Sequence, residues 1–197
     1  GEPWPARFAG YEVEIKMGLE PRIVPHVTSA AALYRWTALA AAGPFREDLM
    51  NASLDSEMNA RLLRLGWRLR YAPGAIAWHR YKPTFGAYLR RVYAYARYRT
   101  ATGGRCLYPA DRWVAARLGW LAFLPVAAFL SSSAWGWGAI LLGGAVLHVP
   151  VVLRSGRFYK DYAVALAAPF AGVVRDTVSL AGLLAGWIAP PDGKIGH

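Results

Sequence analysis

One cysteine, Cys106, occurs in the 197 residues. A single thiol excludes an intramolecular disulfide, so the fold rests on packing alone. Cys106 follows Arg105 in a basic stretch and reads as a structural or incidental thiol. Acids are scarce as well: 12 Asp and Glu against 23 Lys and Arg leave a net charge of +11. Charged residues make up only 18% of the chain and hydrophobic ones 55%. That balance is oily for a soluble domain and points to a membrane protein. No internal repeat and no low-complexity tract is visible. Residues 1–20 hold four glutamates and no apolar core, so no signal peptide is read there. An initiator methionine is also lacking, and the expectation is a fragment whose upstream part is absent.

The positive charge is unevenly spread. Residues 61–117 hold 13 of the 23 basic residues and a single acid, Asp111. Such a block can meet nucleic acid, a membrane surface or phosphate-bearing substrates. Directly after it, Leu118 to Leu153 carries no Asp, Glu, Lys or Arg. Basic residues beside an uncharged run fit the positive-inside rule and anionic headgroups. Nucleic acid is the weaker reading, because no binding motif accompanies the charge and the apolar tail would have no role.

Composition divides the chain into three regions. Residues 1–82 mix polar and apolar short elements, as an α/β domain does. Residues 83–117 are a basic, tyrosine-rich connector. Phe85, Tyr88, Leu89, Val92, Tyr93 and Ala96 recur there at helical spacing, with Arg90, Arg91 and Arg97 largely off the stripe. A helix of that kind lies in a membrane interface or packs on the domain. Residues 118–190 form a helical membrane region. The 118–153 run is long enough for a two-span hairpin turning at Ser131 to Gly138, with basic clusters on its cytoplasmic side. The stretch 162–188 is interrupted by Arg175-Asp176. Charges are expensive at mid-bilayer, so a re-entrant or interfacial helix pair is expected ahead of a true span. The pair itself is read as packing against the hairpin.

The chemistry is densest between Asp55 and His79. Ser53 or Asp55 can cap a helix. Leu54, Met58, Leu62 and Leu65 follow at helical spacing and give it one apolar face. Gly66 sits where a left-handed residue ends a helix. Trp67 to Tyr71 alternates as a half-buried strand, Pro73-Gly74 is a turn, and Ala75 to His79 reads as a second short strand. Asp55 and His79 therefore stand at element ends, where site residues concentrate. Asp55 is read two ways, as an N-cap alone or as a general base.

The order of these elements resembles the second half of inverting family 2 glycosyltransferases of the GT-A fold. Val27 to Leu33 with Tyr34-Arg35 matches an apolar strand, Thr37 to Ala42 a short helix, and Gly43-Pro44-Phe45-Arg46 a glycine turn. Asp55, Met58, Arg61 and Leu62 match the acidic motif, and Gly66-Trp67, Tyr71, Pro73 and His79 complete the series. The run Asp-x-Glu-Met-Asn-x-Arg is closest to bacterial exopolysaccharide-type members. The resemblance covers residues 24–100. It implies an α/β half-domain followed by membrane helices, Asp55 as catalytic base, and His79 as a late histidine that helps hold the metal. Arg35, Glu57, Arg61 and Arg80 are the candidate acceptor- or phosphate-binding side chains. It also implies Mg²⁺ or Mn²⁺, a nucleotide-sugar donor, a lipid-linked or polysaccharide acceptor, and a multi-pass place in the cell membrane with the catalytic part in the cytoplasm.

The sequence departs from the pattern at named positions. Leu54 stands where many members carry glutamate, and Pro44 and Arg46 replace the usual glycine and aspartate. No apolar strand ends in Asp-x-Asp, so the donor-binding half is expected upstream and the chain alone is expected to be inactive. A non-catalytic membrane subunit, or a degenerate transferase that positions a partner, is the rival reading.

Overall fold

A computed structural model describes residues 1–18, 20–47, 54–101 and 148–189, together with 119, 122, 123, 129 and 146. The described residues are mostly helical, with one two-stranded sheet. In chain order they form α1 (Trp4–Met17), β1 (Arg22–Val24), a 3₁₀ turn (Ser29–Ala31), α2 (Trp36–Ala42), α3 (Leu54–Arg64), β2 (Leu69–Tyr71) and α4 (Phe85–Ala101). Then come α5 (Val149–Leu153), a π turn (Arg154–Phe158) and α6 (Tyr162–Ile188). Contacts gather the chain into two compact units. One comprises Gly1–Lys16, Tyr81–Val92 and Pro109–Leu180; the other comprises Met17–Arg80, Tyr93–Tyr108 and Ala181–His197.

The second unit carries α3. Met58 and Leu62 are fully buried with Val24, Ala38 and Leu69. The helix stops where glycine permits it. Gly66 has φ +82, its N–H donates to the Leu63 carbonyl, and the Trp67 N–H donates to that of Leu62. This is a Schellman closure, which satisfies the last carbonyls and turns the chain back. Leu65 lies on that closing turn and is exposed, so it does not continue the apolar face expected of it. Leu54 packs instead against Tyr98 of α4. We expect Leu62→Ala to cost about 2–5 kcal/mol, the range for an emptied core leucine site. Urea unfolding of the detergent-solubilised protein reads this, and a loss under about 1 kcal/mol would remove Leu62 from the core.

The sheet differs from expectation. β2 forms over the last three residues of the stretch read as a strand, Leu69–Tyr71, and its partner is β1, antiparallel, with Arg22 opposite Tyr71, Ile23 opposite Arg70 and Val24 opposite Leu69. Ala75 to His79 makes no strand. Nor does Val27 to Leu33, because Thr28 Oγ1 accepts the Ala30 N–H and bends the segment into the 3₁₀ turn. Among the described residues the α/β character is thus confined to one short antiparallel pair.

The first unit is built from α1, the start of α4 and the segment from α5 into α6. Phe8, Val151, Val164, Ala168 and Ala171 form its buried core. Trp4 packs on Phe85, Phe8 meets Tyr88 edge-on, and Tyr11 stacks on Tyr159 at 4.5 Å. A polar network lines the contact. Arg7 holds Asp161 through two bonds of 2.6 and 3.1 Å, and Tyr11 donates to the same carboxylate. Arg154 and Tyr159 both donate to Glu14. Tyr88 donates to Glu12 at 2.8 Å, and Arg175 bridges Glu12 and Asp176.

That bridge explains a correction. The stretch 162–188 is one continuous helix, not an interrupted pair. Arg175 and Asp176 do not break it, since they neutralise each other and Glu12 of α1 completes the set. The partner of this pair is therefore α1; of the hairpin expected over 118–153, only 119, 122, 123, 129, 146 and 148–153 fall among the described residues. Among the described residues, α6 is the one helix long and apolar enough to cross a membrane, by length and composition alone. Two of its glycines allow close approach. A Cβ on Gly172 would enter the ring of the buried His148, and one on Gly182 would come within 2.6 Å of the Tyr93 carbonyl.

Candidate active site

Asp55 sits in the first turn of α3, its side chain 17% exposed. The Ser56 N–H donates to Oδ1 at 2.8 Å, and the Ser29 N–H reaches Oδ2 at 3.4 Å. His26 Nε2 lies 3.7 Å from Oδ1, with Ser56 Oγ 3.5 Å from each of them. Two opposed effects set the charge. Burial alone pushes the Asp55 carboxyl up. The hydrogen bond and charge of His26, with the N–H groups of Ser29 and Ser56, outweigh it and hold the carboxyl below its ordinary value. Asp55 is thus ionised near neutral pH and fixed in direction.

The neighbours are placed by α3 itself. Asn59, one turn beyond Asp55 and buried, donates from Nδ2 to the Val27 carbonyl at 2.6 Å. That bond ties the segment carrying His26 and Ser29 to the helix. Tyr34 leads out of the same segment and meets Phe45 edge-on. Its hydroxyl is buried and has no hydrogen-bond partner in the structure. Burial, then the Asp55 charge, pushes the phenol up, so it stays protonated. A buried hydroxyl with no partner is uncommon and calls for a specific explanation.

The sequence model of glycosyl transferase family group 2 matches residues 12–175. The chain belongs to that family. Family 2 membership supports glycosyl transfer from a nucleotide-sugar donor to an acceptor. Neither a curated protein nor a solved structure matches the chain significantly.

The remaining candidate residues of this family 2 chain are distributed unevenly. Glu57 and Arg61 bind each other, with N–O distances of 2.9 and 3.0 Å. Arg61 also donates to the carbonyls of Ala42 and Pro44 at 2.6 and 2.7 Å. Its donors are thus occupied by protein, and the pair acts as a tether between α3 and the end of α2. Arg35 is exposed at the start of α2. His79 and Arg80 are exposed in the extended stretch between β2 and α4. The histidine beside Asp55 is His26, which lies outside the stretch from Asp55 to His79 that carries the motif.

The donors at Asp55 do not fit a divalent cation. Asp55 and His26 are two groups, and no set of three or more His, Cys, Asp or Glu able to hold a metal exists among the described residues. A titration isolates the role of His26. In His26→Gln the largest influence lowering Asp55 is gone, so its carboxyl midpoint rises towards the ordinary value. The acid limb of any Asp55-dependent activity then moves to higher pH. Carboxyl ¹³C NMR of the Asp55 resonance checks this, and an unmoved midpoint would show that His26 does not act on Asp55.

Proposed function

We propose that this family 2 member is part of a membrane-anchored, inverting glycosyltransferase. It transfers a sugar from a nucleotide-sugar donor to a lipid-linked or polysaccharide acceptor at the cytoplasmic face. The observation that carries the reading is the Asp55 carboxylate, ionised and aimed by Ser29, Ser56 and His26, its charge also reaching the partnerless hydroxyl of Tyr34. In this reading the acceptor oxygen attacks the anomeric carbon as the bond to the diphosphate breaks. The acceptor proton passes to Asp55, and the hydroxyl of Tyr34 hydrogen-bonds the bound acceptor. One carboxylate within reach of the acceptor hydroxyl suffices for that transfer. Arg35 and Arg80, exposed and cationic, are the proposed contacts for acceptor or phosphate. Exopolysaccharide synthesis is the setting we infer from the Asp-x-Glu-Met-Asn-x-Arg run.

A specific observation favours a second reading, a degenerate or non-catalytic subunit. Leu54 packs on Tyr98 where the family resemblance expects an acid. Transfer by Asp55→Asn, measured in the complete enzyme alongside donor binding, separates the two.

A further inference from the structure

The polarity of α6 is inverted. Its buried stripe is small or charged: Val164, Ala168, Gly172, Asp176, Ser179 and Gly182. Its outward stripe is large and apolar, with Leu166 83%, Phe170 71% and Trp187 76% exposed, and Tyr162, Leu184 and Ile188 beside them. These recur on one face of the helix at spacings of three, four and seven. A face of that composition is unfavourable in water and favourable in hydrocarbon.

The opposite side decides how lipid can meet it. On the inner face of α6, Phe8 of α1 packs with Val164, Ala168 and Ala171 and Glu12 of α1 meets Arg175, while Arg7 and Glu14 meet Asp161 and Arg154 just ahead of the helix. Their partners neutralise them, yet the side chains of Arg7 and Glu14 remain 32% and 33% exposed. Were α6 to cross the bilayer, the Glu12–Arg175–Asp176 set, midway along the helix, would lie near mid-depth, where charged groups are costly. At the N-terminal end of the outward stripe, Arg157 and Lys160 are exposed. They suit anionic headgroups.

We propose that α6 lies along the membrane surface, its Tyr162–Leu166–Phe170–Leu184 face in the lipid of an anionic bilayer and its opposite face capped by α1 over Val164 to Arg175. A surface helix needs a polar side. Here α1 supplies that side, since α6 has little polarity of its own. The proposal deepens the membrane part of the reading above and is independent of the chemistry at Asp55.

The test uses the full chain with Cys106→Ser and single spin-labelled cysteines at Leu166, Phe170, Thr177 and Leu184. These side chains point outward, so labels there leave the core intact. The protein is reconstituted in phosphatidylcholine–phosphatidylglycerol vesicles, and depth is read from relaxation by oxygen against a water-soluble nickel complex. All four labels are expected at one shallow depth, about 5–10 Å inside the headgroup boundary. A profile that deepens towards the bilayer centre at Phe170 and Thr177 and returns at Leu184 overturns it in favour of a span. Labels relaxed by nickel alone overturn lipid contact altogether. Carbonate extraction of the same vesicles reads the anchoring separately. Release there sinks the anchored reading itself, whereas retention with a transbilayer profile sinks only the orientation of α6.

Discussion

Asp55→Asn is expected to lower glycosyl transfer about 10²–10⁴-fold, the usual cost of removing a general base. Donor binding and folding should stay close to wild type. The substitution is informative because of what it retains. Asparagine caps a helix about as well as aspartate. It also keeps an oxygen for the Ser56 N–H, which donates to Asp55 at 2.8 Å. What it loses is the negative charge and the capacity to take a proton. A residue whose only task is to hold the first turn of α3 would tolerate the change almost silently. Near-wild-type turnover with normal folding would therefore remove Asp55 from the chemistry. The pH dependence has a definite sign. The folded carboxyl lies below its ordinary value, so its ionised form contributes stability above the unfolded midpoint. That contribution is lost as pH falls through the folded midpoint, and Asp55→Asn should flatten this acid limb.

The second large effect is expected at Arg175. Arg175→Met should destabilise the first unit by about 3–5 kcal/mol, the cost of removing one partner of a buried ion pair. Arg175 stands between Glu12 and Asp176, donating to Asp176 at 2.6 and 2.8 Å. Without it, two carboxylates face each other in a poorly hydrated place, and Tyr88 donates to only one of them. Glu12→Gln should cost much less, because Arg175 keeps Asp176. Chemical unfolding of the two single variants in detergent reads the difference. Equal losses in the two would mean that the bridge stabilises only through Glu12.

Local features of the site were legible in the sequence, and partner choice was not. The start of α3, its Met58 and Leu62 face and the stop at Gly66 follow from capping, period and glycine, all of which act within a few residues. α4 and β2 follow in the same way. The β1 partner of β2 lies about 45 residues upstream, and pairing at that distance leaves no periodic trace. His26 escaped notice for the same reason. Its approach to Asp55 depends on Asn59 holding the Val27 carbonyl, a contact across 32 positions. The continuity of α6 was hidden because Arg175-Asp176 reads as a break until Glu12 is known to meet it. Leu65 misled because helical spacing does not say which turn closes the helix.

The grip of Arg61 bears on how this chain can vary. Two of its contacts in the turn after α2 are to the main-chain oxygens of Ala42 and Pro44, and every residue type carries such an oxygen. The attachment is therefore blind to side-chain identity in that turn. Pro44 and Arg46 can stand where relatives of the inferred pattern carry glycine and aspartate, and α3 keeps its footing. Drift in the turn and preservation of the Asp55 corner are mechanically uncoupled. The freedom rests on two side chains, Glu57 and Arg61, being kept together.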